Sequence, residues 1–233
     1  GRVPVIAHAS QSGTGIAADL GRHAAQAGAA AVMAATPYYW TPPPGMLLEH
    51  FAAIGSAAGV PFYVYNSPAE MGGVKVTTDL CLKLIDRTAN FAGVIDASLD
   101  WQFMIEVISS ARRVRADFQL LTGVEYPISA CAVGASGMLT SLAGIAPAAV
   151  GKLWAFCRQE RYAEARPLQE AVAALRQAVE PAGVAGLKGG LRSRGRDCGQ
   201  PRPPLDPLDG EGQHRLAAAI ATITALRDEP QGW

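Results

Sequence analysis

The fold is decided by the stretch Pro61-Phe62-Tyr63-Val64-Tyr65, a short run of apolar and aromatic residues. It is followed by Asn66-Ser67-Pro68, where the chain leaves the sheet. A strand that is apolar at nearly every position is buried on both faces, as in a parallel sheet that is covered by helices. We therefore interpret this stretch as a strand of an α/β protein, with Tyr65 at its carboxyl end.

Similar apolar runs recur on both sides of this strand, and the first four begin about 30 residues apart, which is the period of a βα unit. They are Val3–Ala7, Ala31–Ala34, Phe91–Ile95, Phe118–Leu121 and Gly137–Thr140. Helical periodicity lies between the runs, as in Leu47, Phe51 and Ile54. Sequential βα units build either an open doubly wound sheet or a closed (β/α)8 barrel. The pattern gives six such units.

The last part of the chain differs from the first because it contains helical patterns and no clear strand. The patterns cover residues Arg158–Ala182, Val184–Ser193 and Glu211–Arg227. We therefore expect a partial barrel over residues 1–157. Residues 158–233 are predicted to form a helical extension of the same domain.

Composition restricts the class of partner. The 20 Lys and Arg residues balance the 20 Asp and Glu residues, so there is no net charge to attract nucleic acid or an anionic membrane. No uninterrupted apolar stretch reaches the ~20 residues that a membrane span requires. The cysteines are widely spaced and form no Cys-x-x-Cys motif, which is typical of reduced thiols in a cytoplasmic protein. We expect neither nucleic acid nor a membrane as a partner.

In α/β folds of this type, ligands bind beyond the carboxyl ends of the strands. The residues predicted there are rich in hydroxyl groups and contain no lysine or arginine, which argues against a phosphorylated substrate. They include His8, Thr36, Tyr38, Tyr39, Tyr65, Asn66, Asp96, Ser98, Thr122, Glu125, Tyr126 and Thr140. The Tyr65 phenol could relay protons at the mouth of a barrel. The alternative is a tyrosine that ends a strand with its hydroxyl in water.

Two further groups of polar residues have open interpretations. His8, Asp96 and Glu125 could together hold a divalent metal through one nitrogen and two oxygens, although no local spacing supports this. A small basic cluster near the carboxyl terminus is interpreted as a solvated surface. It consists of Arg192, Arg194 and Arg196.

Several short pieces in register along the chain resemble the dihydrodipicolinate synthase/N-acetylneuraminate lyase family of pyruvate-linked aldolases. The pieces are Gly1–Ala7, Thr36–Tyr39, Tyr65–Pro68, Gly93–Ser98, Leu121–Gly123, Gly134–Met138, Gly186–Lys188 and Pro201–Leu205. The resemblance implies an α/β fold, a (β/α)8 TIM barrel with a C-terminal helical extension, which assembles as a homo-oligomer, a dimer or tetramer. It begins at the family's third strand, so the first two βα units are expected to be missing here.

The resemblance also implies a chemistry and the residues that carry it. The family forms a Schiff base between a lysine and a 2-oxo acid, usually pyruvate, and needs no other cofactor. Tyr65 matches the tyrosine that relays protons, and Tyr39 matches a tyrosine that reaches across a subunit interface. Thr36 belongs to the same matching piece and is a candidate substrate contact. Gly123, Glu125 and Tyr126 match the loop that contacts the variable part of the substrate.

Two positions depart from the family pattern. Ile95 stands where the family has its lysine, and an isoleucine cannot form an imine. None of the four lysines replaces it convincingly, and Lys75 is only a remote candidate. Glu70 stands where true dihydrodipicolinate synthases carry an arginine, so a carboxylate would face a dicarboxylic substrate. We therefore predict that Ile95 and Glu70 contact the substrate, and that each does so with a side chain whose chemistry differs from that of the family's residue.

Three functional hypotheses follow. The first is a lyase or aldolase acting on a pyruvate-like 2-oxo acid or a related small molecule, in a reaction other than that of the lysine pathway. The second is an inactive homologue that only binds a ligand. The third is an enzyme that is independent of a Schiff base and uses Tyr65 as acid and base, with metal assistance at His8, Asp96 and Glu125. Because two units are absent, exposed sheet edges are expected to make the chain poorly soluble by itself.

Overall fold

A computed structural model of the protein describes residues 2–232. Gly1, which begins the first piece of the family resemblance, lies outside the described residues. The chain divides into two compact units. The first comprises the residues up to Val124 together with Val133–Gly137, and the second comprises Glu125–Ala132 and the residues from Met138 onward. The boundary that the sequence suggests after residue 157 falls inside the second unit.

A six-stranded sheet follows the predicted order of βα units. Its strands are β1 (Ile6–His8), β2 (Ala31–Ala35), β3 (Phe62–Asn66), β4 (Phe91–Asp96), β5 (Gln119–Thr122) and β6 (Gly137–Met138). The strands are ordered as they are in sequence, and each neighbouring pair from β1 to β5 is parallel. This arrangement confirms the α/β class and the count of six strands. The first strand begins later than predicted, because Pro4 has no N–H group for a strand ladder.

Four helices of the first unit cover one face of this sheet. They are α1 (Thr14–Gln26), α2 (Pro44–Ala58), α3 (Thr78–Arg87) and α4 (Trp101–Val114). Phe51 of α2 begins a row of aromatic rings that continues through Phe62, Phe91 and Phe118, with centroids 6.0 to 6.3 Å apart. All four rings are buried. This row is the core between the helices and the strands.

The strand register decides which residues share a face of the sheet. Tyr65 is the partner of Ile95, and Asn66 is the partner of Asp96. Successive side chains of a strand point to opposite faces. Because Phe62 packs against the helices, Asn66 and Asp96 face the helices too, and Tyr65 and Ile95 face the other side.

The second unit is built from helices. They are α5 (Pro127–Ala132), α6 (Pro147–Arg158), α7 (Tyr162–Val179), α8 (Gly183–Ser193) and α9 (Gly210–Ala221). The three helical patterns predicted beyond residue 158 are therefore confirmed. Leu153, Val172, Leu175 and Ile220 lie in one buried apolar cluster.

The basic cluster of the second unit is not a solvated surface. Arg194 and Arg196 are only 9% and 6% exposed. Arg194 donates to the carbonyl of Leu226 at 3.1 Å, and Arg196 donates to the carbonyls of Pro230 and Gly232 at 2.6 and 2.7 Å. The prediction was wrong for these two residues because a guanidinium can donate to several backbone carbonyls at once and can thereby be buried without losing its hydrogen bonds.

Two expectations about composition can be compared with the described residues. The four cysteines are free thiols, with Cys81 and Cys157 buried and Cys198 exposed. Over residues 2–232, none of the helices combines the length and the apolar character that a membrane crossing requires.

Candidate functional site

Tyr65 lies at the carboxyl end of β3, where the first unit gathers several polar side chains. Its Cα is in register with Ala35 on β2 and Ile95 on β4. The side chain is half-buried, and its ring meets the imidazole of His8 edge-on, with centroids 5.7 Å apart at an angle of 63°. The sheet therefore brings together two groups that can exchange protons.

His8 has a second partner on its own strand end. Its Nε2 is hydrogen-bonded to the Oγ of Ser10. The same Oγ accepts a hydrogen bond from the backbone N–H of Ala35 at 2.7 Å. Burial lowers the pKa of His8, and the negative charge of Glu70 opposes this shift. The imidazole is therefore held towards its neutral form, which can accept a proton.

Glu70 brings a negative charge to this end of the sheet. Its side chain is exposed, and its Oε2 accepts a hydrogen bond from the hydroxyl of Ser67 at 3.0 Å. Because the carboxylate acts on the pKa of His8, its charge is felt where His8 and Tyr65 meet. An anionic group of a ligand would be repelled at this place.

Ile95 occupies the position beside Tyr65 on β4 and is completely buried. Its side chain supplies an aliphatic surface and no nucleophile. Lys75 lies elsewhere in the unit, in a cavity of about 360 Å³ that Asn66 also lines. Asn66 faces the helices, so this cavity is on the side of the sheet opposite Tyr65. The ammonium of Lys75 is 3.6 Å from the carboxylate of Asp100.

Asp96 is buried on the same helix-covered side. Its carboxylate accepts hydrogen bonds from Asn66 Nδ2 at 2.5 Å and from Ser98 Oγ at 2.9 Å. Burial raises the pKa of Asp96 to about 6, against the opposing effect of these hydrogen bonds. In residues 2–232, no three His, Cys, Asp or Glu side chains are grouped so that they could hold a metal ion. His8, Asp96 and Glu125, which the sequence left open as possible metal ligands, are not grouped in this way, and Asp96 points away from the face that carries His8.

The remaining predicted residues of the first unit are Thr36, Tyr39 and Gly123. Thr36 follows β2 directly and is 1% exposed, and its hydroxyl has no hydrogen-bond partner among the described residues. Tyr39 is fully exposed and has a left-handed backbone with φ of 85°. The N–H of Gly123 donates to the carbonyl of Asp96 at 2.7 Å, which ties the ends of β4 and β5 together.

Glu125 and Tyr126 belong to the second unit. The Glu125 carboxylate is buried and accepts hydrogen bonds from Thr140 Oγ1 at 2.6 Å and from the guanidinium of Arg176 at 2.5 Å. Its backbone carbonyl accepts from Gln169 Nε2 at 2.5 Å. Tyr126 is half-buried and directly precedes α5. Within this unit, Glu125 therefore joins α7 to the segment before α5.

Ser10 is the residue of this site that the sequence analysis missed. It stands two positions after His8 at the end of β1. The signal was present, because residues two apart in an extended chain point to the same side. A hydroxyl residue two positions after a histidine at the end of a strand is therefore the pattern that predicts this contact.

Residues 1–223 match the dihydrodipicolinate synthetase family. A relative from Rhodopseudomonas palustris strain BisA53, named 4-hydroxy-tetrahydrodipicolinate synthase, is 34% identical over 223 residues. The match covers 94% of this chain and 73% of the relative. A relative of the same name from Nitratidesulfovibrio vulgaris is 32% identical, with 93% and 73% coverage.

Solved structures give the same result for the fold. A putative dihydrodipicolinate synthetase from Pseudomonas aeruginosa superposes with a TM-score of 0.87 at 26% identity, covering 95% of this chain and 76% of the other. A catalytic lysine mutant of the sialic acid aldolase from Ruminococcus gnavus gives a TM-score of 0.88 at 27% identity, with 97% and 75% coverage. This chain is thus similar to proteins that carry two different names, dihydrodipicolinate synthetase and sialic acid aldolase.

Proposed function

Because the chain belongs to the dihydrodipicolinate synthetase family, we propose that it is a lyase of the aldolase type that acts on a small 2-oxo acid without a Schiff base. The observation that carries this proposal is the register of Tyr65 with Ile95, where a phenol faces an aliphatic side chain and no amine. The position supports proton transfer and excludes imine formation at Ile95.

Tyr65 would supply the acid and base chemistry. Its phenol would donate a hydrogen bond to the carbonyl oxygen of the 2-oxo acid, where negative charge develops as the adjacent C–C bond breaks or forms. The edge contact with His8 would keep the phenol ring in place. Positioned acid–base groups contribute about 10²- to 10⁴-fold to a rate, which sets the expected scale of the effect.

The charge of Glu70 affects which substrates the site would accept. Its exposed carboxylate favours a substrate whose part beyond the 2-oxo group is neutral or cationic, and it disfavours a dicarboxylate. The relatives that are named 4-hydroxy-tetrahydrodipicolinate synthase make that reaction a necessary comparison. We propose that it is slow here compared with the reaction of a monocarboxylic substrate.

The other residues retain the roles that the family resemblance suggests for them. Thr36 follows the strand next to that of Tyr65, and Gly123 lies at the end of β5. We propose that Thr36 contacts the substrate and that Gly123 contacts its variable part. Tyr39 is proposed to meet a second copy of the chain.

The test is exchange of the methyl protons of pyruvate in D₂O, followed by NMR, because exchange reports enolate formation. We expect wild-type protein to catalyse exchange and Tyr65→Phe to lose about 100-fold. Tyr162→Phe, a tyrosine of the second unit, is the matched control and should retain exchange.

Trapping with sodium borohydride separates the alternatives. The proposal predicts no pyruvate adduct in the intact mass of wild-type protein, beside a family member that labels fully. An adduct at Lys75 would restore the Schiff-base mechanism and overturn the proposal. Pyruvate binding without any exchange would favour the second candidate, a ligand-binding homologue without activity, which the replacement by Ile95 supports.

A further inference from the structure

The contact between Ser10 and His8 has the arrangement of a nucleophile and its base. The Ser10 oxygen already accepts the N–H of Ala35 at 2.7 Å. Its own hydrogen is therefore available to the neighbouring His8 Nε2, which is within hydrogen-bond distance. A serine hydroxyl becomes a useful nucleophile when an adjacent base removes this proton.

We propose that Ser10 and His8 form a nucleophile and general base that transfer the acyl group of a small, uncharged carboxylic ester to water. This activity goes beyond the proposed lyase function and does not depend on it. It requires no amine and no metal, and all of its residues lie in the first unit.

The surroundings of the pair fit this chemistry. The imidazole of His8 is partly shielded by neighbouring groups but remains open to solvent, and Ser10 is half-buried beside it, so an ester can approach both. Burial lowers the pKa of His8, which keeps the imidazole able to accept a proton at neutral pH. The charge of Glu70 would stabilise the imidazolium that forms, and it would exclude esters with an anionic acyl group. The adjacent phenol of Tyr65 is a further proton donor.

The reaction balances as two acyl transfers. In the first, Ser10 Oγ bonds to the ester carbonyl carbon, its proton moves to His8 Nε2, and the C–O bond to the alcohol breaks as His8 returns the proton to the leaving oxygen. In the second, water attacks the acyl-serine, its proton passes through His8 to Ser10 Oγ, and the carboxylic acid leaves. The sum is ester plus water giving acid plus alcohol.

The first test is covalent labelling with an uncharged fluorophosphonate, followed by intact mass and peptide mapping. We expect one adduct, at Ser10. Ser10→Ala and His8→Gln should lose it, and Ser12→Ala should retain it. Ser12 is a matched control because it lies on the same loop and its hydroxyl donates to the carbonyl of Tyr38 at 2.9 Å.

The second test is the hydrolysis of p-nitrophenyl acetate. We expect a burst of nitrophenol and a loss of about 100-fold or more in Ser10→Ala and in His8→Gln. His23→Gln, on the surface of α1, should hydrolyse the ester as wild type does. Thermal unfolding would confirm that each variant is folded.

Two results would overturn the proposal. One is an absence of label at Ser10 in folded wild-type protein beside a serine hydrolase that labels. The other is equal hydrolysis by wild type and both variants, since Ser10 would then only tie β1 to β2 through Ala35. Neither result bears on the exchange of pyruvate protons, so failure of this proposal is distinct from failure of the lyase function.

Discussion

Asp96 is a buried carboxyl group whose ionisation lowers the free energy of unfolding. Burial raises its pKa from 3.8 to about 6. A pKa that is higher in the folded state gives stability that is complete below the unfolded value and is lost as the pH rises through the folded value. We therefore predict that Asp96 lowers the free energy of unfolding by about 3 kcal/mol as the pH rises from about 4 to about 7.

This effect can be isolated by comparing urea unfolding of wild type and Asp96→Asn across that pH range. The difference between the two should change with pH, because the amide does not titrate. Asp19→Asn, the same substitution at an exposed position, is the matched control. A wild-type profile that is parallel to that of Asp96→Asn would show that Asp96 does not titrate in this range.

Single residues also show how far the sequence can predict a site. Tyr65 was identifiable because it ends an apolar strand, and its strand register with Ile95 was not predicted from the sequence. The side chains of Asp96 and His8 were expected to meet, but they lie on opposite faces. The strand boundaries predicted from apolar runs were not accurate enough to fix this, since a shift of one residue reverses the face.

At the scale of elements, the pairing of β4 with β5 depends on a glycine. A Cβ atom at Gly93 would lie 1.9 Å from the backbone carbonyl oxygen of Gln119. The two strands would have to separate to admit it, which would break their ladder. We predict that Gly93→Ala costs about 3 kcal/mol or more, or leaves the protein insoluble. Gly45→Ala, in α2 with open space around it, should be neutral or stabilising. Equal chemical denaturation midpoints for the two variants would contradict this.

The start of α6 depends on a residue from the far end of the chain. The buried carboxylate of Glu229 accepts the backbone N–H groups of Ala148 and Ala149 at 3.0 and 2.5 Å. A carboxylate at a helix start satisfies donors that have no partner in the helix and interacts favourably with its dipole. Glu229→Gln should therefore lower the free energy of unfolding by about 1 to 3 kcal/mol.

The matched control for Glu229 is Glu170→Gln, an exposed position on α7. It should change stability by less than about 0.5 kcal/mol. If urea unfolding showed the two variants to be equal, the contact between Glu229 and α6 would contribute nothing.

The elements themselves were predictable to different degrees. The apolar runs predicted all six strands. This is expected for β2, β3 and β4, which are buried at most of their positions, whereas β1 and β6 have no fully buried residue. The last third was predicted as helices, but the roles of Arg196 and Glu229 were not. Both act on backbone groups that are distant in sequence, at Gly232 and at Ala148, and a local pattern carries no information about such contacts.

At the scale of the whole molecule, the family assignment was more predictable than the chemistry. Many short pieces in register identify a family, because each tolerates substitution while their order persists. The chemistry depends on a few side chains, and the proposals made above rest on Ile95, Glu70, His8 and Ser10. The family therefore limits the reaction type broadly, and the roles of these side chains are what the exchange and labelling experiments test.

The exposed loop after β2 contains aromatic residues that association of two copies of the chain would bury. Tyr39 is 100% exposed with φ of 85°, and its neighbours Tyr38 and Trp40 are 44% and 50% exposed. A left-handed backbone at a bulky residue costs free energy. An aromatic ring that is exposed to water makes no packing contact that would offset this cost. Burial of this loop against a second copy would offset that cost, since large aromatic side chains dominate association energies.

We predict that the protein self-associates through this loop and that Tyr39→Arg shifts it towards monomer. Light scattering with size-exclusion chromatography would measure the shift, with Leu205→Arg as an exposed control. A Tyr39→Arg variant with the mass of wild type would place the contact elsewhere.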